Sequence, residues 1–139
     1  MQACTFFGNR NCNPKIRTQL KESIISLIKN SYDTFYVGNH GDFDLLVLSV
    51  LKEIKIEYPY INFYVVLAYL PKNNAWENYS TIYPEGLENV PFKFAIIKRN
   101  IWMLEKSSAV ITHTPNTTGN SAKMKALAEK KNKLVISIK

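Results

Sequence analysis

Short β-rich runs alternate with longer segments of helical periodicity along this chain, and that alternation constrains its fold more than any other feature. Residues 3–7 read as a buried strand. Asn13 caps a helix that Pro14 opens, because Asn suits the N-cap and Pro the first helical position, and Ile16, Leu20, Ile24, Leu27 and Ile28 recur at helical spacing. Residues 34–37 form a second strand ended by Gly38-Asn39-His40-Gly41, and Asp42 is expected to cap a helix over 43–57. That helix is apolar on several faces and is expected to be deeply packed. A third strand follows over 61–70, with Val65, Val66 and Leu67 at its centre.

Between Pro71 and Pro91 every period fails, as Asn73, Asn74, Pro84, Gly86 and Asn89 interrupt it. A connection of this length in a compact domain is often functional. A third helix is predicted over 92–106, with Phe94, Ile97, Ile101 and Leu104 on one side, then a strand at 109–112, a helix at 121–131 and a strand at 134–138. The order predicts an α/β fold, a Rossmann-like parallel five-stranded sheet with helices on both faces, in a single domain over 1–139. Loops at Gly8, Gly38 and Pro115 should then share the carboxyl edge of the sheet, where ligands of such folds bind.

With 46% apolar residues the chain can bury a core without a metal or disulfide staple. Its two cysteines, Cys4 and Cys12, form neither a CxxC pair nor a secreted framework, and with the absence of a signal-like start or a membrane-length apolar run they point to a cytoplasmic protein with no membrane partner. The net charge of +7 suits an anionic partner. Lys123, Lys125, Lys130, Lys131, Lys133 and Lys139, however, crowd the C-terminal part, where a solvated helix face and the helix dipole account for most of them.

Several loop residues carry chemistry suited to a ligand. Gly8-Asn9-Arg10 follows the first strand without a GxGxxG fingerprint; Gly8 offers a tight turn and Arg10 a guanidinium that can grip phosphate bidentately, or that simply faces solvent. In the next loop Asn39 and Asp44 could bond a ribose or base, although Asp42 and Asp44 also suit a first helical turn. Glu85, within Tyr83-Pro84-Glu85-Gly86, is the candidate general acid or base, against the plainer reading of a turn leading into the third helix. The histidines His40 and His113 and the cysteines show no metal-ligand spacing, so no metal and no cofactor is expected, and no nucleophile motif marks a hydrolase.

Taken together, FFGNR, YVGNHGDFD, YPYINFYVVLAYLP, TIYPEGLE and KRNIWMLEKSSAVITHT resemble the SLOG superfamily, the Rossmann-like group that unites DNA-processing proteins with LOG nucleotide hydrolases, and most closely its small stand-alone members. The resemblance covers nearly the whole chain. It implies a nucleotide-binding crevice in which Arg99, with Asn100, matches the arginine that precedes the fourth strand of the hydrolases, and in which the loop 115–123 stands where they carry PGGxGTxxE. Pro115 and Gly119 fit that pattern, Asn116 and Thr117 replace two glycines, and Lys123 replaces the glutamate. A lysine cannot stabilise positive charge at a departing ribose carbon, whereas Thr118, Asn120, Lys123 and helix N–H groups can all donate to phosphate.

The expected function is therefore binding of a nucleotide-derived small molecule, a nucleoside phosphate or an ADP-ribose-like ligand, at Gly8, Asn9, Arg10, Asn39, Asp44, Arg99, Asn100, Thr118, Gly119, Asn120 and Lys123. Hydrolysis of an N-glycosidic bond, with Glu85 as its carboxylate, is one alternative. Single-stranded nucleic-acid binding, with Tyr79, Tyr83 and Trp102 as stacking aromatics, is the other and the less favoured. The apolar excess on the second helix would bury either within the monomer or in a homo-oligomer.

Overall fold

A computed structural model of the chain describes residues 2–115 and 118–139. Six strands, β1 (Gln2–Gly8), β2 (Tyr32–Val37), β3 (Asn62–Val66), β4 (Thr81–Ile82), β5 (Ala109–His113) and β6 (Leu134–Ser137), form one sheet in the order β4-β3-β2-β1-β5-β6. Every pairing is parallel. The sheet thus has one strand more than expected: β4 is two residues long, too short to show a period, and pairs with Val65 and Val66. The chain winds outward from β1 through β4, then returns to the other side of β1 as β5, so the topological switch lies between β1 and β5.

Four helices, α1 (Arg17–Lys29), α2 (Asp42–Glu57), α3 (Ala95–Glu105) and α4 (Asn120–Lys130), cover the sheet. On one face Leu20, Ile24 and Leu27 of α1 and Phe43, Val47, Leu48 and Leu51 of α2 pack with Cys4, Phe6, Phe35, Val37 and Ile111. On the other, Met103 and Leu104 of α3 and Met124 and Ala128 of α4 meet Ala3, Phe7, Tyr36, Val66 and Val110. The period-two alternation of β1, β2 and β5 between these clusters explains their uninterrupted apolar character, since both sides are covered. No helix among the described residues is long and apolar enough to cross a membrane.

Local signals explain most boundaries. The Asn13 side chain accepts from the Lys15 N–H at 2.9 Å, and Pro14 opens a 3-10 turn that leads into α1. Helix α2 buries seven residues, which confirms its deep packing within the chain, while Leu45 and Ile56 stay exposed.

Three expectations need correction. Asp42 is not the cap of α2: it lies inside the helix, the cap is Gly41 at φ +98°, and Asp44 is the acid that binds backbone there. Strand β3 ends at Val66 rather than 70, because the chain turns away toward the long loop after Leu67 donates to the Ile82 carbonyl at 2.8 Å. Helix α3 begins at Ala95, after a 3-10 turn over Phe92–Phe94, and buries only the C-terminal half of the predicted stripe. Leu104 is buried and Ile101 half-buried, but Phe94 and Ile97 are exposed, and Ala95, Arg99 and Met103, spaced four apart, are buried instead, with an arginine at a core position.

Candidate anion-binding cleft

Beside the topological switch the carboxyl end of β1 and the loop after it, His40 and Asp44 at the start of α2, one side of α3 and the start of α4 enclose a cleft of about 360 Å³. Of the residues expected there, Gly8, Asn9, Arg10, Asp44, Arg99, Asn100, Thr118, Gly119 and Asn120 line it. Asn39 stands behind that lining, its Oδ1 accepting from Arg99 at 3.2 Å. Lys123 and Glu85 are exposed and do not line the cleft; Asp44 is the one carboxylate among its described lining residues. Asn116 and Thr117 lie outside the described residues. His40, Asn11 and Ser121 also line the cleft, although sequence reasoning did not single them out as ligands.

Arg99 organises the floor. Its side chain is 2% exposed, and the guanidinium donates from Nε to Asn100 Oδ1 at 2.9 Å, from NH1 to the Val66 carbonyl at 2.9 Å and to Asn39 Oδ1 at 3.2 Å, and from NH2 to His40 Nδ1 at 3.3 Å. Four of the roughly five donors a guanidinium carries are committed within the protein. The Val66 carbonyl closes the end of β3, so Arg99 satisfies a strand end that would otherwise lack a partner there.

Opposite Arg99, Asp44 accepts the His40 backbone N–H at 3.0 Å, and burial raises its carboxyl to about 6 against the opposing pull of that bond and of Arg99 and Arg10. Burial, then Arg99, then Arg10 depress His40 to about 4, so the ring is neutral near pH 7. Its Nδ1 then accepts from Arg99, and the proton sits on Nε2. Burial likewise lowers the Arg99 pKa, without removing its charge near neutrality. Gly38 makes this proximity possible: a Cβ there would lie 2.8 Å from Asp44 Oδ2 and 3.1 Å from the Arg99 Cζ.

The rim is built differently. Arg10 is exposed at the end of the β1 loop, whose backbone is held when the Arg10 carbonyl accepts from the Asp42 N–H at 2.7 Å and when the Asn9 N–H donates to His113 at 3.1 Å. Across the cleft, α4 follows Gly119, whose φ of +100° demands glycine at the N-cap and which offers no side-chain cap. The first N–H to bond within α4 is that of Lys123, to the Gly119 carbonyl at 3.2 Å, which leaves the preceding amides at the cleft outside the intrahelical pattern. Ser121 Oγ donates to the Gly8 carbonyl at 2.6 Å and fixes that helix end to β1.

At three of the four helix starts on this edge charge runs against helix-dipole preference. Helices α1, α3 and α4 have no acidic residue in their first turns, and Lys15, Lys93, Lys98 and Lys123 lie in or just before them, whereas α2 carries Asp42 and Asp44. Each cation at a helix N-terminus forgoes roughly 0.3–1 kcal/mol. An anion bound across the edge would offset that cost.

No protein-family profile and no curated protein matches the chain. Solved structures do. The fold is shared with DNA processing protein A. The chain superposes on the Helicobacter pylori protein, whose structure bears on its single-stranded DNA binding mode, with a TM-score of 0.68 at 16% identity, covering 98% of this chain and 64% of that one. On DprA of Streptococcus pneumoniae the TM-score is 0.71 at 15% identity, over 99% of this chain and 50% of that one. The chain therefore spans about half to two-thirds of the DprA chains it matches, and the likeness supports the Rossmann-like part of the SLOG resemblance.

Proposed function

We propose that this domain binds single-stranded nucleic acid, seating one phosphodiester in the cleft between Arg10 and the N-terminus of α4. The observation that carries the reading is Arg10, exposed on the cleft opposite the start of α4, which has no side-chain cap and no acidic residue in its first turn, with Asp44 the one carboxylate among the described lining residues. Arg10 supplies an exposed bidentate grip, the first amides of α4 supply fixed donors, and Arg99 holds the floor rather than the ligand. The single-stranded DNA binding of the H. pylori DNA processing protein A supports this reading over that of a free nucleotide.

A second reading keeps a specific observation. A cleft of about 360 Å³ lies at the lower end of small-ligand sites, which suits a lone nucleoside phosphate or ADP-ribose-like molecule. Length and salt separate the two. Binding of a labelled oligothymidylate should weaken with a log–log salt slope of roughly −0.7 per phosphate contacted, and Arg10→Ala should reduce affinity by about tenfold. Mononucleotides that compete as well as an oligomer would favour the small-molecule reading; no binding of either at low salt would overturn both.

A further inference from the structure

We infer that the stacked pair Tyr69 and Phe92, two residues before the exposed Phe94, is a stacking platform for the bases of the strand whose phosphate occupies the cleft. The inference rests on the nucleic-acid reading above and adds a second binding surface to it. Phe92 is 76% exposed and Phe94 45%, at the amino end of α3, where burial against the sheet would have been the cheaper use of two phenylalanines. Yet Phe92 is held. Its ring stacks on that of Tyr69 with centroids 4.2 Å apart and planes 22° from parallel, and the Tyr69 hydroxyl donates to the Phe92 carbonyl at 2.9 Å. An exposed ring backed by a half-buried one in this way meets a planar partner with little ordering left to do.

Position and charge select the partner. The Tyr69 and His40 rings stand nearly perpendicular, 6.1 Å between centroids, and His40 lines the cleft, so the platform continues the site rather than standing apart from it. The patch carries a cation of its own, Lys93, whose Nζ lies 5.1 Å from the Phe94 ring centroid. Aromatic faces beside a cation complement alternating bases and phosphates; a protein partner's apolar face would leave that ammonium group to be desolvated.

The test compares oligothymidylate with a strand of the same length and charge made of abasic sugar phosphates, by anisotropy. The wild-type protein should prefer the thymidylate by about tenfold or more, as stacking of this kind predicts. Phe92→Ala, and Phe92→Leu as the variant that keeps bulk without a π face, should erase most of that preference and leave abasic-strand affinity and salt slope unchanged. Arg10→Ala should weaken both strands alike. Equal wild-type affinity for the two strands, still dependent on Arg10, would overturn the platform and leave the cleft reading standing. Phe92 variants that change the sedimentation mass but not binding would assign the patch to a protein interface and overturn the platform as well. No binding of either strand would overturn both.

Discussion

Replacing Arg99 with alanine should destabilise the domain severely while removing no surface charge. The side chain is 2% exposed and ties together Asn100, the Val66 carbonyl, Asn39 and His40. Its loss strands the buried Val66 carbonyl and the Asn100 amide oxygen, each costing roughly 1–3 kcal/mol when no water replaces the donor. It also deprives the buried Asp44 of a nearby opposite charge and leaves the volume of the arginine stem empty. Together these give about 3–5 kcal/mol, the range seen when one partner of a buried charged network is removed. For a chain of this size, that corresponds to a fall in Tm of about 10 °C or more. Urea denaturation followed by circular dichroism, with the m-value checked for two-state behaviour, measures it directly. Arg99→Lys should recover only part of the loss, because an ammonium cannot span the four acceptors. A loss below about 1 kcal/mol for Arg99→Ala would refute the reasoning and return Arg99 to the role of a free ligand grip.

Further predictions follow from the same geometry. Arg10→Ala should leave stability within about 0.5 kcal/mol of the wild type, as expected of an exposed residue, while weakening strand binding; a large loss of stability would show that Arg10 holds the fold. Gly38→Ala should cost about 1–3 kcal/mol, since its Cβ would force Asp44 and Arg99 apart, and a neutral result by thermal denaturation would contradict the contact. On acidification the depressed His40 loses stability between its ordinary 6.5 and about 4, whereas Asp44, raised to about 6, regains it as pH falls from about 6 toward 3.8. Asp44→Asn should therefore make stability fall more steeply than in the wild type as pH drops from about 6 to 4, and His40→Asn should make it fall less steeply; matching slopes in pH-dependent urea titrations would contradict the assigned pKa directions.

The fold was legible because strands covered on both faces read as apolar runs and helices with a sharp start announce it: Asn13-Pro14 gave the opening of the first helical segment to the residue. Strand β4 was not legible, since two residues carry no period. The third helix was misread for a physical reason. Its core row contains Arg99, whose partners are a carbonyl, an amide and an imidazole contributed by distant segments, so a reading that ranks residues by hydropathy assigns the core to Phe94 and Ile97 instead. The positions of Gly8, Arg10 and residues 118–120 around one cleft were legible from loop order in a parallel sheet, because carboxyl-end loops must converge. The division of labour between two arginines was not: only their burial distinguishes Arg99, spent on the protein, from Arg10, exposed on the rim.

Backbone amide chemical shifts, recorded as an oligothymidylate is titrated into isotope-labelled protein, test the central claim most directly. The account predicts that the largest changes fall on Gly8, Asn9, Arg10, Asn120 and Ser121, at the strand ends and helix start that frame the cleft. Changes concentrated instead on Lys130, Lys131 and Lys133, at the far end of α4, would show that the strand follows surface charge alone and would contradict it.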